Sequence, residues 1–304
     1  MKKFVFLLFI DLKPDTMLKI PFLKNCIPII FFALFFISLP THARVGEDNH
    51  GKDSVSKFIM LSGHLNYAVY RDFATSPLFY DVFGGGVGFG RLYTTQKWDH
   101  LVDVNLNAHI GYAQFFNINL YYHYVHKLPI FKSPKLIFKL GGAFQFTQNI
   151  RINPPLRNAQ AGLESIMNLM LVGKLNWDIS RTTTKTINFL GKKKEKKPIK
   201  REISFQCQIG LLNFNHRPSQ YSFVYLGSIN GTATNPAMWL FDEYSWSLNG
   251  WRLGTQIEYS WYKSTGNGRK IAYIWEAAHC PGNFEAFQMG IHKIQYTIII
   301  NNNK

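Results

Sequence analysis

Between Leu101 and Phe146 the chain alternates apolar and polar residues with a period of two, three times in succession. Val102, Val104, Leu106, Ala108, Ile110 and Tyr112 alternate with Asp103, Asn105, Asn107, His109 and Gly111. Phe116, Ile118, Leu120, Tyr122 and Tyr124 then alternate with Asn117, Asn119, Tyr121 and His123. Leu136, Phe138, Leu140, Phe144 and Phe146 follow, set against Lys135, Lys139, Gln145 and Thr147. Successive side chains of a strand point to opposite faces, so this period produces strands with one apolar and one wet face. Three in a row predict a sheet whose faces meet two different solvents.

Composition narrows the choice of sheet. The 304 residues are 46% hydrophobic and 16% aromatic but only 17% charged, and the mean hydropathy is −0.09. That is too polar for a helical membrane protein. It suits a barrel that crosses a bilayer, because half of every strand faces the lumen. The expected fold is therefore all-β: a closed antiparallel transmembrane β-barrel of about ten strands, within a range of 10–12. A soluble barrel of the lipocalin type is the rival, with its apolar faces turned inward. Strand ends rich in Tyr and Trp favour the membrane form, where aromatic rings collect at the interface.

Residues 1–43 read as a signal peptide, with Met17 as an alternative start. Lys19 and Lys24 precede an apolar core from Ile27 to Leu39, and Thr41-His42-Ala43 offers small residues for cleavage. A polar tail, 44–56, leads into the barrel, 57–304. The formal charge is +16 and stays strongly positive once the leader's five lysines and two aspartates are set aside. The basic residues are scattered, and no zinc-finger, helix-turn-helix or RNP pattern accompanies them, so nucleic acid is not expected as a partner. Outer-membrane lipid and lipopolysaccharide are the expected counter-charges. Cys207 falls mid-strand and Cys280 in an expected loop; nothing resembles a disulfide framework or a cysteine metal site. No cofactor and no metal is expected.

Taken in order, Phe58–Arg71 forms the first strand, and Phe83–Tyr93 the second, carrying Gly84-Gly85-Gly86, Gly88 and Gly90. Gly86, Gly88 and Arg91 nearly spell a dinucleotide fingerprint, but position 91 is Arg and no helix follows. Glycines here are read instead as room for bulky lumen neighbours. Residues 149–162 are expected as a loop. Leu163, Met167, Leu169, Leu171, Leu175 and Trp177 then alternate with Glu164, Asn168, Lys174, Asn176 and Asp178. The Lys192–Lys197 run reads as a solvated loop, and Ile203, Phe205, Cys207, Ile209 and Leu211 resume the strand pattern. Residues 215–244 read as one long loop, with a short hairpin as the alternative that would raise the count to twelve strands. Trp251, Leu253, Ile257, Tyr259 and Trp261 oppose Arg252, Gln256 and Glu258. Ile271, Tyr273 and Trp275 follow the Gly266-Asn267-Gly268 turn. Ile294, Tyr296, Ile298 and Ile300 end the chain's last strand.

The chain resembles a group of uncharacterised outer-membrane β-barrel proteins of Bacteroidota. The likeness rests on Tyr121–Leu128, on Leu136–Phe146 with its Gly141-Gly142 pair, on Asn213–Pro218, on Arg269–Glu276 and on the terminal strand His292–Ile300. The lysine-rich insertion and the Asn301-Asn302-Asn303-Lys304 tail depart from the group's pattern, which ends on an aromatic residue. The resemblance implies fold and location and no established activity. It also implies recognition by the barrel-assembly machinery through Ile294, Tyr296, Ile298 and Ile300.

Three functions are compatible with such a barrel. The first is a structural or narrow passive-transport role for a monomer with a largely filled lumen, lined by a network of Asp103, His109, Lys139, Glu164, Lys174, Arg252 and Glu258. Both signs of charge in that set favour internal pairing. The second is an outer-membrane hydrolase acting on lipid or surface substrates, drawing on His64, His109, His123, His216, His279 or His292, although no GxSxG or HExxH motif assembles them. The third is a surface-binding protein that uses the 215–246 segment and its Tyr221, Phe223, Tyr225 and Trp239.

Overall fold

In the computed structural model of the protein, the described residues are 55–303 apart from 73–77, 112, 154, 156–160, 190–191, 219–243 and 282–285. The expected leader, nearly all of the polar tail and most of the 215–246 segment, with its four aromatics, lie outside them. The strands are β1 (Ser56–Asp72), β2 (Tyr80–Thr94), β3 (Trp98–Gly111), β4 (Gln114–Leu128), β5 (Leu136–Ile152), β6 (Ala161–Asp178), β7 (Lys185–Phe189), β8 (Lys192–Lys196), β9 (Lys200–Pro218), β10 (Tyr244–Leu248), β11 (Trp251–Tyr262), β12 (Gly268–Cys280) and β13 (Phe287–Asn301).

Each strand pairs antiparallel with its neighbour, and the sheet closes on itself. β13 pairs with β1 from Phe58↔Asn301 to Asp72↔Phe287, and β6 pairs directly with β9. β10 and β11 run along successive parts of β9 and act as one interrupted strand. The result is a closed barrel of ten strands, with β7 and β8 forming a separate two-stranded hairpin. Because the number is even, β1 starts and β13 ends at the same rim, called here the terminal end. The opposite rim is the distal end.

The faces are inverted relative to a soluble barrel. Leu65, Leu106, Ile118, Ile257, Ile294 and their neighbours point outward, exposed, while Asn, Gln, Lys, Arg and Glu side chains are buried inside. A lipocalin would have the reverse arrangement, so the soluble rival is excluded.

Four expectations are corrected. The lysine run is a strand rather than a loop: β8 pairs with β7, and the stem is extended by the Arg181↔Ile199 bridge. The partner segment, Lys185–Phe189, carries the β-branched Thr186 and Ile187. Strand enters the 149–162 segment from both sides, since β5 runs to Ile152 and β6 begins at Ala161. Strand likewise enters the 215–244 segment, because β9 continues to Pro218 and β10 begins at Tyr244. The cause is a bulge. Leu169 pairs with Leu212 and Met170 with Gly210, so Leu211 has no counterpart and both leucines face outward. After this slip Asn213, Asn215 and Arg217 become the inward residues, and the earlier parity no longer applies. Beside the bulge, Gly250 takes a φ of 89°, open to glycine at little cost. Asn213 and Asn215 donate to the Gly250 and Asn249 carbonyls at 2.9 and 2.7 Å, replacing the interrupted ladder. Cys280 closes β12 rather than lying in a loop, and both Cys207 and Cys280 are free.

The glycines of β2 do what their small size allows. A side chain at Gly86 would meet the Leu106 carbonyl and the His64 ring, and one at Gly88 the side chains of Asn105 and Ser62. With β2 stripped to backbone, β1 and β3 touch across it. His64 Nε2 and Asn66 Nδ2 both donate to Asn107 Oδ1, at 2.6 and 2.8 Å. We expect Gly86→Leu to lower the free energy of urea unfolding in micelles by about 1–3 kcal/mol through overpacking. Gly63→Ala, with nothing within 4 Å of the added carbon, should stay within about 0.5 kcal/mol of the parent. Equal stability of the two variants would refute the contact across β2.

Candidate functional site

The lumen is the site, and its two halves differ. At the distal end Asp72, the last residue of β1, accepts from two arginines across the barrel: Arg151 Nη2 at 2.5 Å and Arg217 Nη2 at 2.8 Å. Arg151 also binds Glu164, through Nε at 3.2 Å to both carboxylate oxygens and through Nη2. Arg217 donates to the Cys280 carbonyl at 2.7 Å. Both guanidinium groups lie over the Phe287 ring, and Arg151 also over Tyr70, at 5.5 to 5.8 Å. These rings belong to a buried cluster with Ala68, Val82, Phe115, Ile166 and Met289. Ion pairs braced on packed apolar side chains fill this half.

Toward the middle, amides relay from strand to strand. Asn107 donates to Asn117 at 2.9 Å, and Asn117 to Asn149 at 2.6 Å. Arg252, 1% exposed, donates to Glu276 at 2.6 Å, Thr147 at 2.8 Å and Asn168 at 3.2 Å. Gln145 donates to the same Glu276 oxygen at 3.2 Å.

The terminal half holds a cavity of about 490 Å³, running from Gly266, Asn301 and Asn303 at the rim to Asn119, Glu276 and Lys293 at the floor. Its wall is organised by Glu258. Lys270 and Gln256 donate to one carboxylate oxygen, Lys174 and Ser204 to the other, all four at 2.6 Å. Four donors use the roughly four acceptor sites of a carboxylate. Nearby, Asp99 is held by Lys139 and Thr94, with Lys127 at 3.8 Å. Tyr121 donates to Gln208 at 3.0 Å and accepts from Gln206 at 3.1 Å.

The seven residues expected from sequence therefore fall into separate groups. Glu164 is in the distal cluster, Arg252 in the middle, and Lys174 with Glu258 on the cavity wall. Lys139 pairs with Asp99. Asp103 accepts from Asn105 at 2.7 Å. His109, buried, donates from Nδ1 to the Phe115 carbonyl at 3.1 Å. Sequence reasoning missed Asp72, Asp99, Arg151, Arg217, Lys270, Glu276 and Lys293. For Lys270 and Glu276 the signal was present, because they alternate with Ile271, Tyr273 and Trp275. Lys293 likewise alternates with Ile294. For Arg217 it was erased by the bulge. Of the histidines considered for hydrolysis, His64, His109 and His123 are buried in the lumen, with His64 bonded to Asn107 and His109 to the Phe115 carbonyl. His279 and His292 bond instead to Gln288 and Tyr273.

No protein-family model matches the chain, and no curated protein does. Among solved structures, the chain is similar to Neisserial surface protein A at 10% identity, over 79% of this chain and 96% of that one, with a TM-score of 0.29. It is similar to the outer-membrane protease OmpT from Escherichia coli at 9% identity, over 82% and 97%, with a TM-score of 0.36. It is also similar to Ail, the attachment invasion locus protein of Yersinia pestis, at 7% identity, over 80% and 98%, with a TM-score of 0.23. With every one of these scores below 0.5, the fold rests on the chain's own strand pairing.

Breaking the Glu258 cluster from one side should be costly. Glu258→Ala strands two buried ammonium groups, and a loss of about 3–5 kcal/mol in unfolding free energy is expected. The Glu258→Ala/Lys174→Met double variant should recover part of that loss. A strictly additive double-mutant cycle would show that the two residues do not interact.

Proposed function

We propose that this chain is an integral outer-membrane β-barrel whose lumen is occluded, with a structural or narrow passive role rather than that of an open pore. The observation that carries this reading is the combination of an apolar exterior with the ion-paired distal plug. On β2 the outward residues run Asp81, Phe83, Gly85, Val87, Phe89, Arg91. At a rise of about 3.3 Å per residue and a tilt of about 40°, the stretch between the two charges spans about 25 Å, the height of an outer-membrane apolar band. On β12, Arg269 and His279 bracket Ile271, Tyr273 and Trp275 in the same way. Stacked aromatics gather near strand ends, such as Trp98 on Tyr124 at 5.9 Å and Tyr93 on His100 at 5.6 Å, as an interfacial girdle does.

In this reading a cleaved leader delivers the chain, and both barrel termini lie in the periplasm. The plugged distal end then faces outward, and the cavity opens inward. Lipopolysaccharide and phospholipid cover the outward face of a monomer, and the assembly machinery recognises Ile294, Tyr296, Ile298 and Ile300 along β13.

Reconstituted into planar bilayers, the protein should show no steady, porin-sized conductance. Removing the plug by Arg151→Ala together with Arg217→Ala should raise leak more than Leu140→Ala on the outer face. A large, stable, ion-selective conductance from the parent chain would overturn the occluded reading. Leu106→Arg, directed at lipid, should cost about 2–4 kcal/mol near the midplane, and Asn105→Arg less; equal damage would contradict the assignment of faces. Protease added to intact cells should cut within residues 219–243 and spare Lys192–Lys197. Cleavage at the lysines alone would invert the orientation.

A further inference from the structure

Among the described residues, Lys293 is the buried lumen cation without a direct ion pair, whereas Lys139, Arg151, Arg217 and Arg252 each have one. It projects inward from β13, 8% exposed, at the floor of the cavity. Its neighbours in register, Asn66 on β1 and Ile274 on β12, carry no charge. Among the described residues its ammonium makes none of the ion pairs or hydrogen bonds found for the other lumen cations. The two carboxylates whose charges reach it make their direct bonds to other groups: Glu276 to Arg252 and Gln145 at 2.6 and 3.2 Å, Asp103 to the neutral Asn105 amide at 2.7 Å. Around the cavity wall lysines outnumber carboxylates by seven to five. Arg252 compensates Glu276 in addition, so the uncompensated charge of the cavity is positive and is deepest at Lys293.

A desolvated ammonium without a direct ion pair is unfavourable, and a bound anion offsets that cost. The space is sufficient. About 490 Å³ lies within the range of small-ligand pockets, roughly 300–1,000 Å³. Gln295 and Asn119 on the same wall donate to Thr297 and Thr147 at 3.3 and 3.2 Å and each carry a second amide N–H suited to an anion's oxygens, and Lys200 and Lys263 also line the cavity. We propose that the cavity is a binding site for a small oxyanion, a carboxylate or a phosphate, anchored by Lys293 and admitted from the terminal end. This rests on the occluded-lumen reading only in taking the distal end as plugged.

The test is titration calorimetry of the folded protein in zwitterionic micelles with two probes, inorganic phosphate and succinate. Saturable binding of either is expected, and the responding probe identifies the anion class. Lys293→Met should weaken it at least tenfold, and Lys293→Arg should retain it. Lys293→Met should also raise the urea midpoint measured without ligand, since it removes a buried charge that no direct ion pair holds; a lowered midpoint would reveal an internal ion pair and overturn the proposal. So would the absence of saturable binding of both probes by the parent chain, or unchanged binding by Lys293→Met. A conducting barrel in the bilayer assay, by contrast, would count against the occluded reading and not against this site, because the titration is independent of conductance.

Discussion

Charge enclosed by a narrow cylinder has to be neutralised by other strands, because inward residues on one strand are of few kinds and point the same way. In this barrel the solutions reach across. Asp72 on β1 joins Arg151 on β5 and Arg217 on β9, the latter 145 residues away in the chain. Glu258 on β11 gathers Lys174 from β6 and Lys270 from β12. Breaking one partner of such a pair leaves a desolvated charge, so these groups act as cross-links even where their net contribution to stability is small. They also define the lumen's geometry, filled at one end and hollow at the other.

Backbone features make those contacts possible. The β2 glycines remove a layer of side chains, so that β1 and β3 meet directly through His64, Asn66 and Asn107. The Leu211 bulge and the positive φ of Gly250 sit side by side, between β9 and its two partners. There asparagines take over carbonyls that the ladder leaves unpaired, as buried polar groups require. The bulge also brings Arg217 to the lumen side, where it meets Asp72. One extra residue in β9 is therefore linked to the composition of the plug.

The cavity and the plug are complementary consequences of side-chain volume. Tyr70, Phe115, Phe287 and two arginines occupy the distal half. The terminal half is lined by thinner chains such as Ser62, Ser260 and Thr297, together with lysines drawn to the wall by Asp99 and Glu258. A ten-stranded barrel lies close to the size at which side chains can just fill the interior, so modest differences in residue volume decide which part stays open.

Alternation alone determined which residues face lipid and which face the lumen on most strands, because a period of two follows from strand geometry and needs no knowledge of neighbours. Leu106, Ile118, Ile257 and Ile298 were legible as outward on that basis, and Asn105, Lys139 and Glu258 as inward. The number of strands followed from counting such segments. The tertiary structure decided the rest. Which lumen charges pair depends on strand order and stagger around the closed sheet, so Lys139 with Asp99, and Arg151 with Asp72, could not be read from spacing. The phase slip at Leu211 depends on a two-against-one pairing that no single strand encodes, and it hid Arg217. Lys293 shows the same limit: its inward direction was available from Ile294 and Tyr296, but its lack of a direct ion pair is a property of the assembled lumen, where Glu276 is bound by Arg252 and Asp103 by Asn105.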